Sequence, residues 1–511
     1  MKQLFKSKFF RLEYAPIWIL VCSFFLRLPV YLIHTFGYWY DEIIFLSIAK
    51  LPFSQMFDTL LAEPKPPGAY VLFHYLPTDN ALTTRLALMV AAYTLTGIAL
   101  WYGYATRVIQ HYKLHLGLAL FFSSFTFLRL TVYVKPYESA GLLLTIFFFL
   151  VALNIVRERL HTNTKYHIFL LHAITLFALF FNYIAYLFIM IGLTAVTFVL
   201  RKKKPALWLF ATQLLIVGAY AGIFGYEQSQ TALGRGIWST GMTNSIFFTI
   251  ETHLNEYKLL EKSFMFDIAF GLFLWCIYKG IQYTRVSSER TFRIGLIILT
   301  AVFMIIGYRL HLLRYYRQAY TILLPISIIA GWGLYEVKKK AAIGSVIALL
   351  FFVGLAAQAR EYRLIDKEDR HIVAALSDSI ERDRPTGVVS DMPLMVYAYK
   401  MEYFHDASLY VPVNAYEGEA LPTMYITKEH LTSNRSVLDI ENRYERVVRQ
   451  LQSSQLDRFI FLQYWMTAPI YYIDPDQTIL QVLIDECRLG RFQFIGGTGM
   501  YEFEECGYGN N

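Results

Sequence analysis

Long apolar runs separated by short polar connections fill the first 360 residues. Crossing a hydrocarbon core takes about 20 apolar residues. On that measure about eleven helical spans are expected, at 15–33, 86–105, 116–134, 139–156, 166–182, 184–200, 206–226, 264–284, 292–308, 318–336 and 341–359. One long run becomes two spans only by turning back at Asn182. From 361 the pattern changes to that of a small soluble α/β domain. Val388-Val389 and Phe459-Ile460-Phe461-Leu462 read as buried strands. Asp474-Pro475 is a helix start, with Asp at the N-cap and Pro at the first helical position. Phe492–Ile495 and Met500–Phe503 flank Gly496-Gly497-Thr498-Gly499, the pattern of a hairpin. No helix follows those glycines, so they do not form a phosphate loop.

Composition sharpens this picture. Of 511 residues 56% are hydrophobic and 17% charged, and the mean hydropathy is +0.39. Soluble domains carry about 25% charged residues, so lipid solvates most of the chain. The net charge of +8 resides largely in short runs between apolar segments, such as Arg201-Lys202-Lys203-Lys204 and Lys338-Lys339-Lys340. That is a topology signal and not a nucleic-acid signal. Basic loops alternate along the chain with the N-terminus inside, and an odd number of spans then puts 361–511 outside. Lys2, Lys6, Lys8 and Arg11 precede the first run, but Arg27, Pro29 and the aromatics that follow leave no cleavage site, so the segment is read as a retained helix. Arg27 is expected to snorkel to the outer interface. Four cysteines exclude a dense disulfide framework. Cys22 and Cys276 fall in apolar runs, whereas Cys487 and Cys506 lie in the exported tail and are expected to pair in an oxidising compartment.

Four polar groups fall on the outer side of this arrangement. Asp41-Glu42 follows the first span, Glu63-Pro64-Lys65-Pro66-Pro67 lies in the first outer loop (34–84), Lys135-Pro136-Tyr137-Glu138 opens the fourth span, and Arg314-Tyr315-Tyr316-Arg317 breaks the positive-inside rule. Ionised groups near lipid are costly, so their gathering on one face implies a site. Carboxylates and fixed cations are what transfer from a lipid phosphate needs. A general base takes the acceptor proton, and cations stabilise the departing phosphate. Asp41 is the candidate base. Glu42 either shares that task, holds the acceptor, or caps a helix beginning there. Lys65, Arg314 and Arg317 are the phosphate-binding candidates. Glu63, Lys135, Tyr137, Glu138 and Tyr315 are candidates for substrate contact. Glu138 as a helix cap and the tyrosines as interface anchors are the structural readings that stand beside those roles. No cofactor is expected from these residues, and dependence on a divalent metal is left open.

Phe25-Leu26-Arg27-Leu28-Pro29 followed by Tyr40-Asp41-Glu42 resembles the opening of the GT-C glycosyltransferases. The branch it is most similar to is the dolichyl-phosphate-mannose protein mannosyltransferase and aminoarabinose transferase superfamily (glycosyltransferase family 39). Glu63-Pro64-Lys65-Pro66-Pro67-Gly68, Thr84-Arg85-Leu86, Lys135-Pro136-Tyr137-Glu138, and Arg314-Tyr315-Tyr316 before Leu324-Pro325 carry the resemblance across about residues 20–335. Lys135 stands where that group more usually has Arg, and Pro64 separates Glu63 from Lys65. The resemblance implies a polytopic membrane protein of GT-C type, with a catalytic domain at 1–360 and an extracytoplasmic α/β domain at 361–511. It implies an inner-membrane enzyme with a cytoplasmic N-terminus. That enzyme would move a sugar from a polyprenyl-phosphate donor to an envelope glycan, lipid or protein acceptor. A transporter or flippase for a lipid-linked precursor is the alternative, but the charges gather at one face and no internal repeat is visible.

Overall fold

The computed structural model describes residues 12–33, 40–62, 66–77, 81–132, 134, 136–158, 164–199, 204–220, 222, 264–284, 290–309, 320–337, 339–379, 386–390, 410–412, 451, 456–464, 478–495 and 498–507. Its larger part is helical. The chain runs through α1 (Ala15–Ile33), three short helices α2 (Tyr40–Ala49), α3 (Phe53–Ala62) and α4 (Gly68–Tyr75), then α5 (Ala81–Ala105) and α6 (Val108–His111). There follow α7 (His115–Phe122), α8 (Phe125–Leu130), α9 (Pro136–Glu158), α10 (Thr164–Phe181), α11 (Tyr183–Val199) and α12 (Lys204–Tyr220). The last four of the bundle are α13 (Phe264–Thr284), α14 (Arg290–Arg309), α15 (Tyr320–Tyr335) and α16 (Lys340–Ser379). Among the described residues, α1, α5, α9 and α16 hold stretches long and apolar enough to cross a membrane, and α10, α11, α12, α14 and α15 hold shorter apolar ones.

The expected third span departs from the sequence reading. Residues 116–134 form no single helix: α7 ends at Phe122 and α8 starts at Phe125, with every residue from Leu114 to Val132 buried. Such a break in an apolar interior is tolerated only if the freed backbone groups find partners. Here they do. Ser123 N–H and Oγ donate to Ala119 O, and Ser124 N–H and Oγ donate to Phe121 O. Ser124 Oγ in turn caps α8 by accepting the Phe127 N–H at 3.2 Å. At the other end of α8, Phe127 O accepts Thr131 N–H, Arg129 O accepts Val132 N–H, and Leu130 O accepts the Ser139 hydroxyl.

The Leu128 carbonyl explains a second departure. It accepts Arg27 Nη2, Gln358 Nε2 at 3.1 Å and Thr131 Oγ1 at 2.9 Å. Arg27 also donates through Nη1 to Tyr93 Oη at 2.8 Å and to Thr131 Oγ1 at 2.7 Å, and it is 1% exposed. Arg27 therefore does not snorkel. The carbonyl freed by the broken helix offers its charge a partner inside the bundle, which water at the interface would otherwise supply. Two basic residues of the polar connections also pack on rings: Arg293 lies over the Tyr283 and Trp332 rings at 4.4 and 4.7 Å, and Lys113 over Tyr335 at 5.2 Å.

α15 is the bundle's central helix, buried over nearly its whole length between α7 and α13. Glycines allow the approach. A Cβ on Gly331 would run into the Gly117 backbone, and one on Gly333 into the Cys276 carbonyl. In lipid, packing of this kind replaces the hydrophobic drive between helices. Gly331→Val is accordingly expected to destabilise the bundle by at least 1–3 kcal/mol, roughly the cost of overpacking. Gly97→Val, at a position with open space around it, should leave the melting temperature in detergent unchanged.

α16 runs unbroken for 40 residues across the expected domain boundary at 360, a rod of about 60 Å. Beyond it the tail forms a five-stranded sheet of order β2-β1-β3-β5-β4. β1 (Thr386–Ser390) pairs parallel with β2 (Tyr410–Pro412) and with β3 (Phe459–Tyr464). β4 (Arg488–Ile495) and β5 (Thr498–Glu504) form the expected hairpin, which closes at the Ile495–Thr498 pair. α17 (Thr478–Glu486) precedes the hairpin, while Asp474-Pro475 lies outside the described residues. Cys487 and Cys506 form the expected disulfide, tying the end of α17 to the residues after β5. Closing a loop of that length is worth about 3 kcal/mol by chain-entropy estimates.

Candidate active site

One end of the helical bundle gathers the described parts of the Asp41-Glu42, proline-rich, Thr84-Arg85-Leu86 and Lys135–Glu138 motifs, while the Arg314–Arg317 motif lies outside the described residues. α2 begins at Tyr40, so Asp41 and Glu42 occupy its first turn, where the helix dipole favours negative charge. Glu42 is 0% exposed and receives Arg85 through a fork: Nη1 donates to Oε1 at 2.8 Å and Nη2 to Oε2 at 2.5 Å. Oε1 also accepts the Val134 N–H at 2.8 Å. Three segments distant in sequence are thereby tied together: the start of α2, the start of α5, and the link between α8 and α9. The charge of Glu42 is compensated in place, as a buried carboxylate requires.

Aromatic packing fixes the rest of α2. Phe45 lies 4.6 Å from the Tyr70 ring and 5.3 Å from Phe73, both on α4. His74 Nδ1 is 2.9 Å from Ala49 O at the far end of α2. α4 opens directly after the proline-rich motif. Pro66 and Pro67 are buried, and a Cβ on Gly68 would lie 2.9 Å from Phe180 O. The motif's second half is therefore pressed on the end of α10, where Asn182 makes the expected reversal. Its Oδ1 accepts the Ile184 and Ala185 N–H groups at 3.0 and 2.9 Å and so caps α11. Gly141 on α9 brings Asn182 and the Tyr320 hydroxyl at the head of α15 to the same place.

The tail reaches this end too. One hydrophobic cluster holds Phe45, Leu46, Tyr70 and Phe73 of the first-loop helices, Val134, and Val389, Phe459, Phe461, Ile479 and Phe503 of the tail. α2 to α4 thus sit between bundle and sheet, in a core common to both.

Of the candidate residues, Glu42 is described in full. Asp41, Tyr137 and Glu138 are placed by their backbones, Asp41 in the first turn of α2 and the other two in the first turn of α9. Glu63, Lys65, Lys135, Arg314, Tyr315 and Arg317 lie outside the described residues. Their described neighbours in sequence, Pro66, Val134, Pro136 and Tyr320, stand at the end of the bundle just outlined. Two groups that bind Glu42 had no assigned role in the sequence, although Thr84-Arg85-Leu86 is among the motifs of the resemblance. Arg85 was visible as a charge at the head of an apolar span, but its partner was not, and the Val134 amide has no sequence signature. Among the described residues no group of three or more His, Cys, Asp or Glu side chains could hold a metal ion.

No family model matches this sequence, and no curated protein matches it. Among solved structures the chain is similar to the crystal structure of ArnT from Cupriavidus metallidurans in the apo state. The two share 10% identity over 94% of this chain and 97% of that one, with a TM-score of 0.48.

Proposed function

We propose that the protein is a membrane glycosyltransferase that moves a sugar from a polyprenyl-phosphate donor to an envelope glycan, lipid or protein. The observation that carries the reading is the convergence at one end of an apolar bundle. The acidic turn of α2, the proline-rich start of α4, the head of α5 and the Val134–Pro136 link all meet there. In the reaction the acceptor oxygen bonds to the anomeric carbon as the bond from that carbon to the phosphate oxygen breaks. Asp41 takes the acceptor's proton. Lys65, Arg314 and Arg317 stabilise the charge gathering on the phosphate. Glu63, Lys135, Tyr137, Glu138 and Tyr315 line the donor and acceptor. Glu42, bound by Arg85 and Val134, sets the position of the turn that carries Asp41. The site would work on the outer face, with the N-terminus cytoplasmic.

Mass spectrometry of envelope glycans and lipids, with and without the gene, tests this. The expected result is a sugar-sized mass present only with the gene. Identical profiles under conditions where the protein is made would overturn it. The broken helix α7–α8 favours one competing reading, since transporters place such breaks near mid-membrane. Against it, protein groups take up the break's carbonyls, and the carboxylate pair stands at the bundle's end. Directional movement of a labelled polyprenyl-linked lipid in proteoliposomes, without sugar transfer, would establish the transporter instead.

A further inference from the structure

α16 touches the broken helix at two points. A Cβ on Gly354 would collide with the Ser123 carbonyl at the break. One turn later Gln358, 2% exposed, donates to the Leu128 carbonyl at 3.1 Å. From Leu128 the chain runs through the end of α8 to Val134, whose N–H binds Glu42. α16 is also held at its far end, where Ser379 Oγ donates to Glu502 Oε1 at 2.7 Å. Glu502 in turn lies 3.6 Å from Arg458. An unbroken helix anchored in the tail's sheet and seated against the break can support the segment between them.

We propose that α16 is a strut for the acidic site and that Gln358 is its positioning residue, holding α8 so that the Val134 amide stays on Glu42. The physical reason is local. α8 has only six residues, too few to be stable by itself, and its Leu128 and Leu130 carbonyls take partners from other helices. Gln358 and Arg27 supply two of these from opposite ends of the sequence. Arg27 anchors α8 to α1, whereas Gln358 couples it to the one helix that continues into the tail domain. That this position matters for sugar transfer rests on the proposed function, but the strut itself does not.

Amide hydrogen exchange of the full chain in lipid nanodiscs tests the strut without any substrate. Gln358→Met removes the donor at nearly constant volume, and Gly354→Ala wedges α16 away from Ser123. Each is expected to speed exchange in peptides covering 131–138 by about tenfold, the scale of one lost hydrogen bond in a local opening. Exchange in 183–199, on the other side of the bundle, should stay unchanged. Glu42→Gln calibrates the measurement, since weakening its acceptor must also speed the Val134 amide. If one of the α16 variants fails to fold, the other decides. Unchanged exchange at 131–138 in a folded α16 variant overturns the proposal. So does an equal acceleration in 183–199, which would mark general loosening. No response to Glu42→Gln would overturn the Val134 link while leaving the transferase reading intact.

Discussion

Asp41→Asn is expected to abolish sugar transfer while the folded protein remains in the membrane. The change keeps the side chain's size and removes the charge that, in the proposed reaction, accepts the proton. Loss of a general base typically costs roughly 100- to 10,000-fold in rate. Folding should survive because the ties that seat α2 lie elsewhere: Glu42 on Arg85 and Val134, and Phe45 on Tyr70 and Phe73. Complementation of a deletion strain, read by envelope mass spectrometry and by the amount of membrane-extracted protein, checks both halves. Activity within a few-fold of the unaltered protein would place the base elsewhere, with Glu63 and Glu138 next in line. Loss of the protein itself would mean that Asp41 holds structure.

How much of this was legible in the sequence depended on whether the deciding force was local. Apolar runs forecast helices because lipid offers the backbone no partner, so each run must satisfy itself. The reversal at Asn182 was legible for the same reason, as a polar residue able to cap the next helix inside a run too long for one span. The hairpin of β4 and β5 and the Cys487–Cys506 bridge also followed from neighbours in sequence. The break at Ser123-Ser124 was not seen, although paired serines with Arg129 six residues on were a usable signal. Hydropathy counts how apolar a run is and is blind to whether it lies against lipid or protein. Residues 114–132 face protein throughout, and there a helix can stop if other helices complete it. Arg27 was misplaced as a consequence, because its partners Leu128, Thr131 and Tyr93 all come from elsewhere in the chain. In the candidate site, residue types announced the carboxylates and cations. That Glu42 is tied to Arg85 and Val134, which is why the proposed base is Asp41, was not legible because both partners come from elsewhere in the chain.

The Glu42–Arg85 pair leads to the largest stability effect expected. Arg85→Met should strongly destabilise the protein, since it leaves the Glu42 carboxylate buried at 0% exposure without its cation. Breaking one side of a buried pair costs roughly 3–5 kcal/mol. The loss should appear as a lowered melting temperature in detergent, together with poor yield. Removing both charges has a different expected result. In the double variant Arg85→Met with Glu42→Gln no charge is stranded, and the amide oxygen can still accept the Val134 N–H. Stability should therefore recover most of the loss. Glu42→Leu in place of Gln should recover less, because an unpaired buried backbone donor costs about 1–3 kcal/mol. The ordering of the three variants is the decisive observation. If Arg85→Met alone melts with the unaltered protein, Glu42 is reached by water, and the fork between them is not what fixes the turn that carries Asp41.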